Sequence, residues 1–412
     1  MQQRDPLGWT FALTAAFLAL AAWHLGIPSK AYFDEVHYVP AARQLLALNH
    51  ANIEHPLVGK EAIAAAIALL GDAPWAWRVP SLLFGGLGLF AFGRALWWAS
   101  QRRFAAIAGM VLLATDFAWF IQSRIAMLDM VMAGCAMVAF WQIAATIGRP
   151  AQARARLALA GIAMGLAMGA KWSVIPAFAV LAAALLAMQM RRAGRPFPRL
   201  GWIECTLWLG MLPLCVYWAS FAPAAFYHDQ PLDLRDIVGW HRQMVELQDS
   251  VTQRHPYQSV WYQWAENGRA IWYLYEPVDG AQRGVMLIGN PATMLLGLPA
   301  LGWCLGAAMW RGRRDAALVV ALYGASLGFW AVSGKPVQFY YHYLLPGTLL
   351  MAALALALDA LWQVRGAVRW LAPATLALSV TLFGWFYPIL SAAALHRGVR
   401  SFETWMWLSS WR

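Results

Sequence analysis

Long apolar stretches separated by short polar connections run along the whole chain. An α-helix needs roughly 20 mainly apolar residues to cross the hydrocarbon core of a bilayer. About eleven stretches approach that length, at residues 8–27, 79–99, 104–122, 125–147, 156–170, 172–190, 201–222, 285–309, 315–333, 342–362 and 368–390. The pattern predicts an all-α polytopic membrane protein with about 11 transmembrane helices.

Two long segments interrupt this pattern, at residues 28–78 and 223–284. The first contains the apolar run 62–70 (AIAAAIALL), which is too short to cross a bilayer and is expected to form an interfacial helix. We find no internal repeat and no hydrophilic extra domain. Residues 1–412 are therefore expected to form a single transmembrane domain whose function lies in the two long loops and the membrane face beneath them.

Composition narrows the class of protein further. Hydrophobic residues make up 61% of the chain and charged residues only 12%, whereas soluble proteins carry about 25% charged residues. Such a chain cannot cover itself with a water-soluble surface. A soluble enzyme, a disordered chain and a collagen-like fibre are excluded.

The net charge of +11 would suggest nucleic-acid binding in a soluble protein, but here topology explains it better. Fifteen of the 31 basic residues fall on one side, Arg4 before the first span and fourteen in short connections, and 13 of the 20 acidic residues fall in the two long loops. Basic residues collect in cytoplasmic loops. We expect a cytoplasmic N-terminus, both long loops and the C-terminus outside, and no nucleic-acid partner.

The first long loop carries two adjacent carboxylates, Asp34 and Glu35, between aromatic residues and just after the first span. A carboxylate near the membrane surface is partly desolvated, which raises its pKa and makes it a better base. The alternative is a solvated loop that happens to contain two acids.

Cations from separate connections fall on the same outer side: Lys60, Arg78, Arg124, Lys171 and Lys335, the last followed by His342. Together they predict a site for an anion. A lipid-linked phosphate is favoured over a nucleotide because no glycine-rich phosphate loop is present. For Arg124 the alternative is a structural ion pair with Asp129, five residues along the chain.

The second long loop is rich in aromatic residues. His255, Tyr257, Trp261 and Trp264 lie in one short stretch of it. Aromatic rings mixed with polar groups suit a sugar, whose C–H faces pack on rings while its hydroxyls form hydrogen bonds. The alternative is an interfacial aromatic belt, which explains less well a cluster some twenty residues from either span.

These motifs, in this order, resemble the protein O-mannosyltransferase family of GT-C membrane glycosyltransferases, in its bacterial form. The resemblance covers most of the chain and rests on Phe33-Asp34-Glu35-Val36-His37, His55-Pro56 with Lys60, Arg78 before Leu83-Phe84-Gly85, Ser123-Arg124 with Leu128-Asp129, Lys171-Trp172, His255-Pro256-Tyr257, Gly289-Asn290-Pro291 and Tyr341-His342-Tyr343-Leu344-Leu345-Pro346. It implies transfer of mannose from a polyprenyl phosphate to Ser or Thr of exported proteins, with inversion, at the bacterial inner membrane.

The resemblance implies that Asp34 is the catalytic base, that Glu35 helps hold the acceptor and that Arg124 binds the donor phosphate. We extend the expected site by position in the loops. Acceptor binding is assigned to Glu35, His255 and Trp261, and sugar binding to His55, Tyr257 and Trp264. Donor phosphate or lipid binding is assigned to Lys60, Arg78, Arg124, Lys171, Lys335 and His342.

Two other functions fit parts of the pattern. A GT-C transferase that moves a polyprenyl-phosphate-linked sugar to lipid A or another glycan keeps the fold and changes the acceptor. A lipid or sugar transporter fits less well, because transporters often show inverted repeats. No tightly bound cofactor is expected, and a divalent cation, Mg²⁺ or Mn²⁺, held by Asp34 and Glu35 is left open.

Overall fold

A computed structural model describes residues 3–191, 194–250 and 252–412. Apolar helices dominate it. In chain order they are α1 (Leu7–Ala22), α2 (Glu35–Leu46), α3 (Val58–Leu70), α4 (Pro74–Ser100), α5 (Arg103–Ala114), α6 (Phe117–Gln122), α7 (Leu128–Gly148), α8 (Ala153–Ala170), α9 (Ile175–Gln189), α10 (Trp202–Thr206), α11 (Leu212–Ala219), α12 (Ile237–Asp249), α13 (Trp261–Ala265), α14 (Pro291–Arg311), α15 (Arg314–Val332), α16 (Leu344–Gln363) and α17 (Leu371–Leu390). A π-helical turn, Leu207–Met211, joins α10 to α11.

Within the described ranges, nine helical segments are long and apolar enough to cross a membrane. They match nine of the expected spans. The other two expected spans are occupied by shorter apolar helices, α1 and α5. The helix expected over 62–70 is α3, which begins four residues earlier, at Val58.

The third expected span, 104–122, is divided into α5 and α6 by a break at Thr115 and Asp116. The side chain of Asp116 accepts a hydrogen bond from the backbone N–H of Trp119 at 2.8 Å and so caps α6. Asn290 Nδ2 donates to the carbonyls of Thr115 and Ser379, each at 3.0 Å. The break is therefore held by a buried polar cluster that joins α5, α14 and α17.

A two-stranded antiparallel hairpin is the exception to the all-helical expectation in the described residues. Strand β1 (Ile271–Val278) pairs with β2 (Ala281–Leu287). Asp279 and Gly280 form the turn, both with positive φ. The expected span 285–309 consequently begins later, at Pro291, because residues 285–287 belong to β2.

Helix α7 forms the centre of the bundle and is buried over most of its length. It approaches α4 so closely that a Cβ at Gly134 would lie 2.6 Å from the carbonyl oxygen of Phe84. Small residues permit this kind of close helix contact inside membranes. The first turn of α7 also packs closely against α3, since a Cβ at Gly59 would lie 2.6 Å from Leu128 Cδ2.

Candidate active site

Asp34 and Glu35 are neighbours in sequence, but they lie in different environments. Phe33, just before them, has a φ of 51°, and α2 begins directly afterwards with Asp34 as its N-terminal flanking residue. Glu35 is fully buried, with 0% of its surface exposed, whereas Asp34 is only half-buried. The two carboxylates therefore cannot share one function.

Glu35 is bound by the protein itself. Its carboxylate accepts hydrogen bonds from Arg78 Nε at 2.7 Å and Nη2 at 2.9 Å, and from the backbone N–H groups of Ala126 at 2.9 Å and Tyr32 at 3.2 Å. Arg78 is also fully buried. It donates further to the carbonyls of Leu25, Pro28 and Lys30. The pair fastens the start of the first loop to α4 and to the segment before α7.

The Asp34 carboxylate, in contrast, accepts no side-chain or backbone hydrogen bond from the described residues. Burial raises the pKa of Asp34 from its usual value to about 6, although the positive charges of Lys171, His37 and Lys335 lower it. The negative charge of Asp129 raises it further. A half-buried carboxylate with a pKa near neutrality and free oxygens has the properties of a general base.

Lys171, which follows the C-terminal end of α8, is paired with Asp129 in the first turn of α7. Its Nζ donates to both carboxylate oxygens of Asp129 at 2.8 Å, and it lies 4.9 Å from the centre of the Tyr341 ring. Both charged residues are buried. The pair Arg124–Asp129, suggested by their spacing, does not form, because Asp129 takes Lys171 instead. Lys171 remains close enough to act electrostatically on Asp34.

Lys335 is the second lysine close to Asp34, after Lys171. Its Nζ forms no ion pair within the described ranges, and it lies within electrostatic range of Asp34, Asp129 and Asp249. Burial and the neighbouring charge of Lys171 lower the pKa of Lys335 to about 8. A cation that is desolvated and unpaired provides a ready site for an anionic group of a ligand.

The other expected cations have partners in the protein. Lys60 is fully buried, and its Nζ donates to the carbonyls of Asn52 and, at 2.8 Å, His55. Burial lowers the pKa of Lys60 to about 7. Lys60 and Arg78 are thus placed to hold the first loop rather than a phosphate, in contrast to the sequence-based expectation.

Arg124 is bound by backbone carbonyls but not by a carboxylate. Its guanidinium donates to the carbonyls of Ala21, Trp23 and His24 at the end of α1, and to that of Ser391 after α17. None of these partners is a carboxylate, so the charge of Arg124 stays uncompensated. It therefore adds to the positive potential on this side of the bundle.

The aromatic residues of the second loop divide into buried and accessible groups. Trp264 has 0% exposure, and its Nε1 donates to Ser259 Oγ at 2.8 Å. It packs near Trp330 and His342. Trp264 thus packs inside the protein, and its role in sugar binding stays a prediction. Trp261 on α13 is 38% exposed, and its ring centre lies 5.7 Å from that of Tyr262.

The histidines of the expected site also differ in how far they are exposed. His255 is exposed, and its Nδ1 accepts from the backbone N–H of Tyr257 at 3.1 Å. His342 is buried, and its Nδ1 accepts from the backbone N–H of Phe339, also at 3.1 Å. A neutral ring bonded in this way carries its proton on Nε2. His55 lies beside the cluster, and burial and the charges of Lys171, Lys335 and Lys60 lower its pKa well below the usual value.

A row of aromatic rings runs from the candidate base to the second loop, and the sequence reasoning missed it. The ring of Phe33 stacks on that of Tyr273 with 3.8 Å between the ring centres, and its centre lies 5.9 Å from that of Tyr341. Tyr341 stacks on Phe339 at 5.5 Å, and Phe339 meets His255 at 5.2 Å. The row supplies apolar walls on one side of Asp34. The signal available was the Asp279-Gly280 dipeptide, which predicts the hairpin that carries Tyr273.

The residues expected to hold a divalent cation do not fit one together. Both oxygens of Glu35 are already occupied by Arg78 and by two backbone N–H groups. Asp34 is left as a single carboxylate, and no group of three or more metal-ligating side chains occurs in the part of the chain that the structure describes. Asp34 is placed to accept a proton beside a cation, and we assign no reaction step to a metal.

Comparison with known sequences gives a consistent result. A family model described as dolichyl-phosphate-mannose-protein mannosyltransferase matches residues 73–226. A polyprenol-phosphate-mannose–protein mannosyltransferase of Mycolicibacterium smegmatis is 30% identical, over 98% of this chain and 93% of its own length. The protein of the same name from Mycobacterium tuberculosis is 28% identical, over 98% of this chain and 92% of its own.

Solved structures share the architecture. The protein O-mannosyltransferase Pmt1–Pmt2 complex of S. cerevisiae, bound to its sugar donor, matches with a TM-score of 0.84 at 14% identity, over 100% of this chain and 93% of that one. ArnT from Cupriavidus metallidurans, bound to undecaprenyl phosphate, matches with a TM-score of 0.65 at 13% identity, over 97% and 78% of the two chains. At these identities the likeness shows the fold, and it confirms the expected GT-C membrane architecture.

Proposed function

This chain belongs to the family of polyprenol-phosphate-mannose–protein mannosyltransferases, and from that premise we propose that it transfers mannose from a polyprenyl phosphate to Ser or Thr hydroxyls of exported proteins. The observation that carries the proposal is the half-buried Asp34, whose oxygens are free and whose surroundings contain the unpaired cation Lys335. The similarity extends over nearly the whole chain, so the relatives' activity and this site coincide in one domain.

The proposed reaction is a direct displacement with inversion. The acceptor oxygen forms a bond to C1 of mannose while the bond between C1 and the phosphate oxygen breaks. The electron pair goes to the polyprenyl phosphate, and the hydroxyl proton goes to Asp34. A phosphate leaving group needs cations rather than a general acid, because negative charge develops on it in the transition state.

We assign the donor phosphate to Lys335 and to the neighbouring Lys171, whose own charge Asp129 balances. The uncompensated Arg124 adds positive potential. The aromatic row of Phe33, Tyr273 and Tyr341 would face sugar or acceptor beside Asp34. Exposed His255 and Trp261 are retained as acceptor contacts at the outer end of the site, and half-buried Tyr257 and His55 as sugar contacts. Buried His342 would act through its Nε2–H. Glu35 would position the loop rather than touch the acceptor.

For the location, we propose the bacterial inner membrane, with the N-terminus in the cytoplasm and the site outside. The support is the distribution of charge: basic residues dominate the short connections, and acidic residues dominate the two long loops. A polyprenyl-phosphate sugar at the outer leaflet would then meet exported proteins directly. We further propose that transfer proceeds without a tightly bound cofactor.

The test is a transfer assay in membranes with radiolabelled polyprenyl-phosphate mannose. We expect label in protein that β-elimination releases. Asp34→Asn should lower kcat by about 10²–10⁴-fold, the range that a general base contributes. Lys335→Gln should lower it by about 10²-fold, as for loss of one group that stabilises developing charge. Glu246→Gln, an exposed change on α12, is the matched control and should leave activity unchanged.

Several outcomes would contradict parts of the proposal. Label in lipid or glycan would keep the mechanism and move the acceptor to that class. Undiminished transfer by Asp34→Asn would remove the catalytic assignment. Loss of activity in EDTA that Mg²⁺ or Mn²⁺ restores would show that a metal is required after all.

A further inference from the structure

A groove opens between three helices at the membrane face opposite the candidate active site. It has a volume of about 650 Å³ and lies between α14 from Leu296 to Arg311, the second half of α16 and the start of α17. Helix α14 begins beside the Asn290 cluster and ends at Arg311, which lines the groove. Arg311 therefore lies at the opposite end of α14 from the Asn290 cluster. Nothing in the proposed transfer reaction uses this groove.

Side-chain size explains why the helices leave a gap here. Ala300, Ala357, Ala360 and Ala374 line the groove from all three helices, and Pro299 lies within α14 beside it. Four alanines cannot fill the space between helix backbones, and the remaining lining is apolar apart from Thr375 and Arg311. A long apolar space of this kind, open to the bilayer, accommodates a hydrocarbon chain.

The mouth of the groove is strongly basic. Arg311 lines it directly, Arg365 follows the lining residue Val364, and Arg369 precedes the lining residue Leu371 by two positions. Within the described ranges none of the three has a carboxylate partner. Arg369 lies 4.1 Å from the centre of the Trp362 ring, and its Nε is buried without a hydrogen-bond partner. The acids nearby are engaged elsewhere: Asp315 with Arg313, and Asp359 with Arg102.

We propose that this groove is a binding site for one anionic phospholipid of the adjacent leaflet. An acyl chain would lie between α14, α16 and α17, and the phosphate would meet the arginines at the mouth. Basic pockets between transmembrane helices are suited to anionic lipid headgroups in this way. The charge at the mouth favours an anionic lipid over a zwitterionic one. Because the site is separate from Asp34, the lipid would stabilise the bundle without taking part in transfer.

Thermal unfolding of the full-length protein in detergent tests the proposal. Dioleoyl phosphatidylglycerol should raise the Tm by a few degrees more than dioleoyl phosphatidylcholine, which carries the same acyl chains, because only a ligand that binds the folded state stabilises it. Arg311→Gln, which removes charge at the mouth, and Ala374→Phe, which fills the groove, should each abolish that difference. Arg314→Gln and Ala377→Phe make the same chemical changes at exposed positions outside the lining and should preserve it.

The opposite results would overturn the proposal in distinct ways. Equal protection by both lipids would show that charge at the mouth does not select the ligand. Equal loss in Arg311→Gln and Arg314→Gln would assign the effect to the general surface potential. Protection by undecaprenyl phosphate, but not by phosphatidylglycerol, would make the groove part of the donor site.

Discussion

Phe33 determines how the two acids of the first loop are used. A residue other than glycine at a φ of 51° costs about 1 kcal/mol or more in backbone strain. The ring of Phe33 stacks on Tyr273 at 3.8 Å, and such aromatic pairs return roughly 0.5–1.5 kcal/mol. Beyond this turn Asp34 is left half-buried with free oxygens, while Glu35 enters the protein. Sequence identified both acids but not this division, because a left-handed phenylalanine has no sequence signature.

The charges around Asp34 predict the pH dependence of transfer. Asp34 must be deprotonated to accept a proton, so kcat/KM should rise as pH increases through about 6. Lys335 must be protonated to bind phosphate, so kcat/KM should fall as pH increases through about 8. Measured profiles should be bell-shaped between these values. A rate that stays constant from pH 5 to 9 would be incompatible with both roles.

Variants of the Lys171–Asp129 pair should move the acid limb in opposite directions. Lys171 lowers the pKa of Asp34 and Asp129 raises it. Lys171→Met therefore should shift the acid limb to higher pH, and Asp129→Asn should shift it to lower pH. A merely structural pair would reduce activity at all pH values without displacing the limb. Profiles of kcat/KM for both variants, beside Glu246→Gln, distinguish the two roles.

The buried Glu35–Arg78 pair makes a prediction about stability. Glu35→Gln leaves Arg78 without its counter-charge in a fully buried position, which costs about 3–5 kcal/mol in the free energy of unfolding. Arg78→Met should cost a similar amount. The double variant should lose clearly less than the sum, because no buried charge is left unpaired. Unfolding measured by circular dichroism in detergent checks this, and strictly additive losses would mean that the two groups do not interact.

At the scale of elements, the C-terminal segment 391–412 holds the hairpin that carries Tyr273. Leu395 N–H donates to the Gln282 carbonyl at 2.8 Å, and Tyr275 Oη donates to the Val399 carbonyl at 2.7 Å. Trp411 Nε1 donates to the Asn267 carbonyl at 2.9 Å. The Asn267 side chain donates a hydrogen bond to the Gly289 carbonyl and accepts one from the Tyr340 hydroxyl. The segment thus joins the second loop, β2 and α14 behind the aromatic row.

Removal of residues 394–412 should therefore affect the site at a distance. We expect the hairpin to become susceptible to protease and transfer activity to fall by at least about tenfold, since a small displacement of positioning groups is costly in catalysis. Trp411→Phe is the milder variant, because it removes the N–H donor and leaves a smaller aromatic ring in place. Full activity of the truncated protein, with an unchanged digestion pattern, would show that the segment does not support the hairpin.

Elements also show where sequence patterns succeed and where they do not. Long apolar runs located the spans because a bilayer imposes a length and a composition on each helix. They failed at 104–122, where capping by Asp116 and the Asn290 cluster break the helix, and at 285–290, where β2 continues the apolar pattern. The ion-pair partners of buried charged residues could not be predicted from the sequence either. Spacing alone allowed Asp129 to meet Arg124, but only the three-dimensional bundle brings Lys171 to it.

At the scale of the whole molecule, the proposed topology predicts which loops are accessible from outside the cell. Single cysteines in a cysteine-free background can report them. A cysteine at Gln253, in the second long loop, should react with an impermeant maleimide in intact cells. A cysteine at Arg154, in the first turn of α8, should react only after permeabilisation. The reverse pattern would place the site in the cytoplasm, and equal labelling would contradict the eleven-span topology.

The neutral Lys171–Asp129 pair has a consequence for the charge balance of one turnover. Since the pair contributes no net charge, Asp34, Lys335 and the singly charged donor phosphodiester together carry one negative charge. After transfer, Asp34 is neutral and the released polyprenyl phosphate carries two negative charges at neutral pH, so the sum is unchanged. The reaction thus moves one negative charge from a fixed carboxylate to a mobile lipid beside Lys335. The product is then held more strongly than the donor until the proton on Asp34 leaves, which links departure of the lipid to reset of the base.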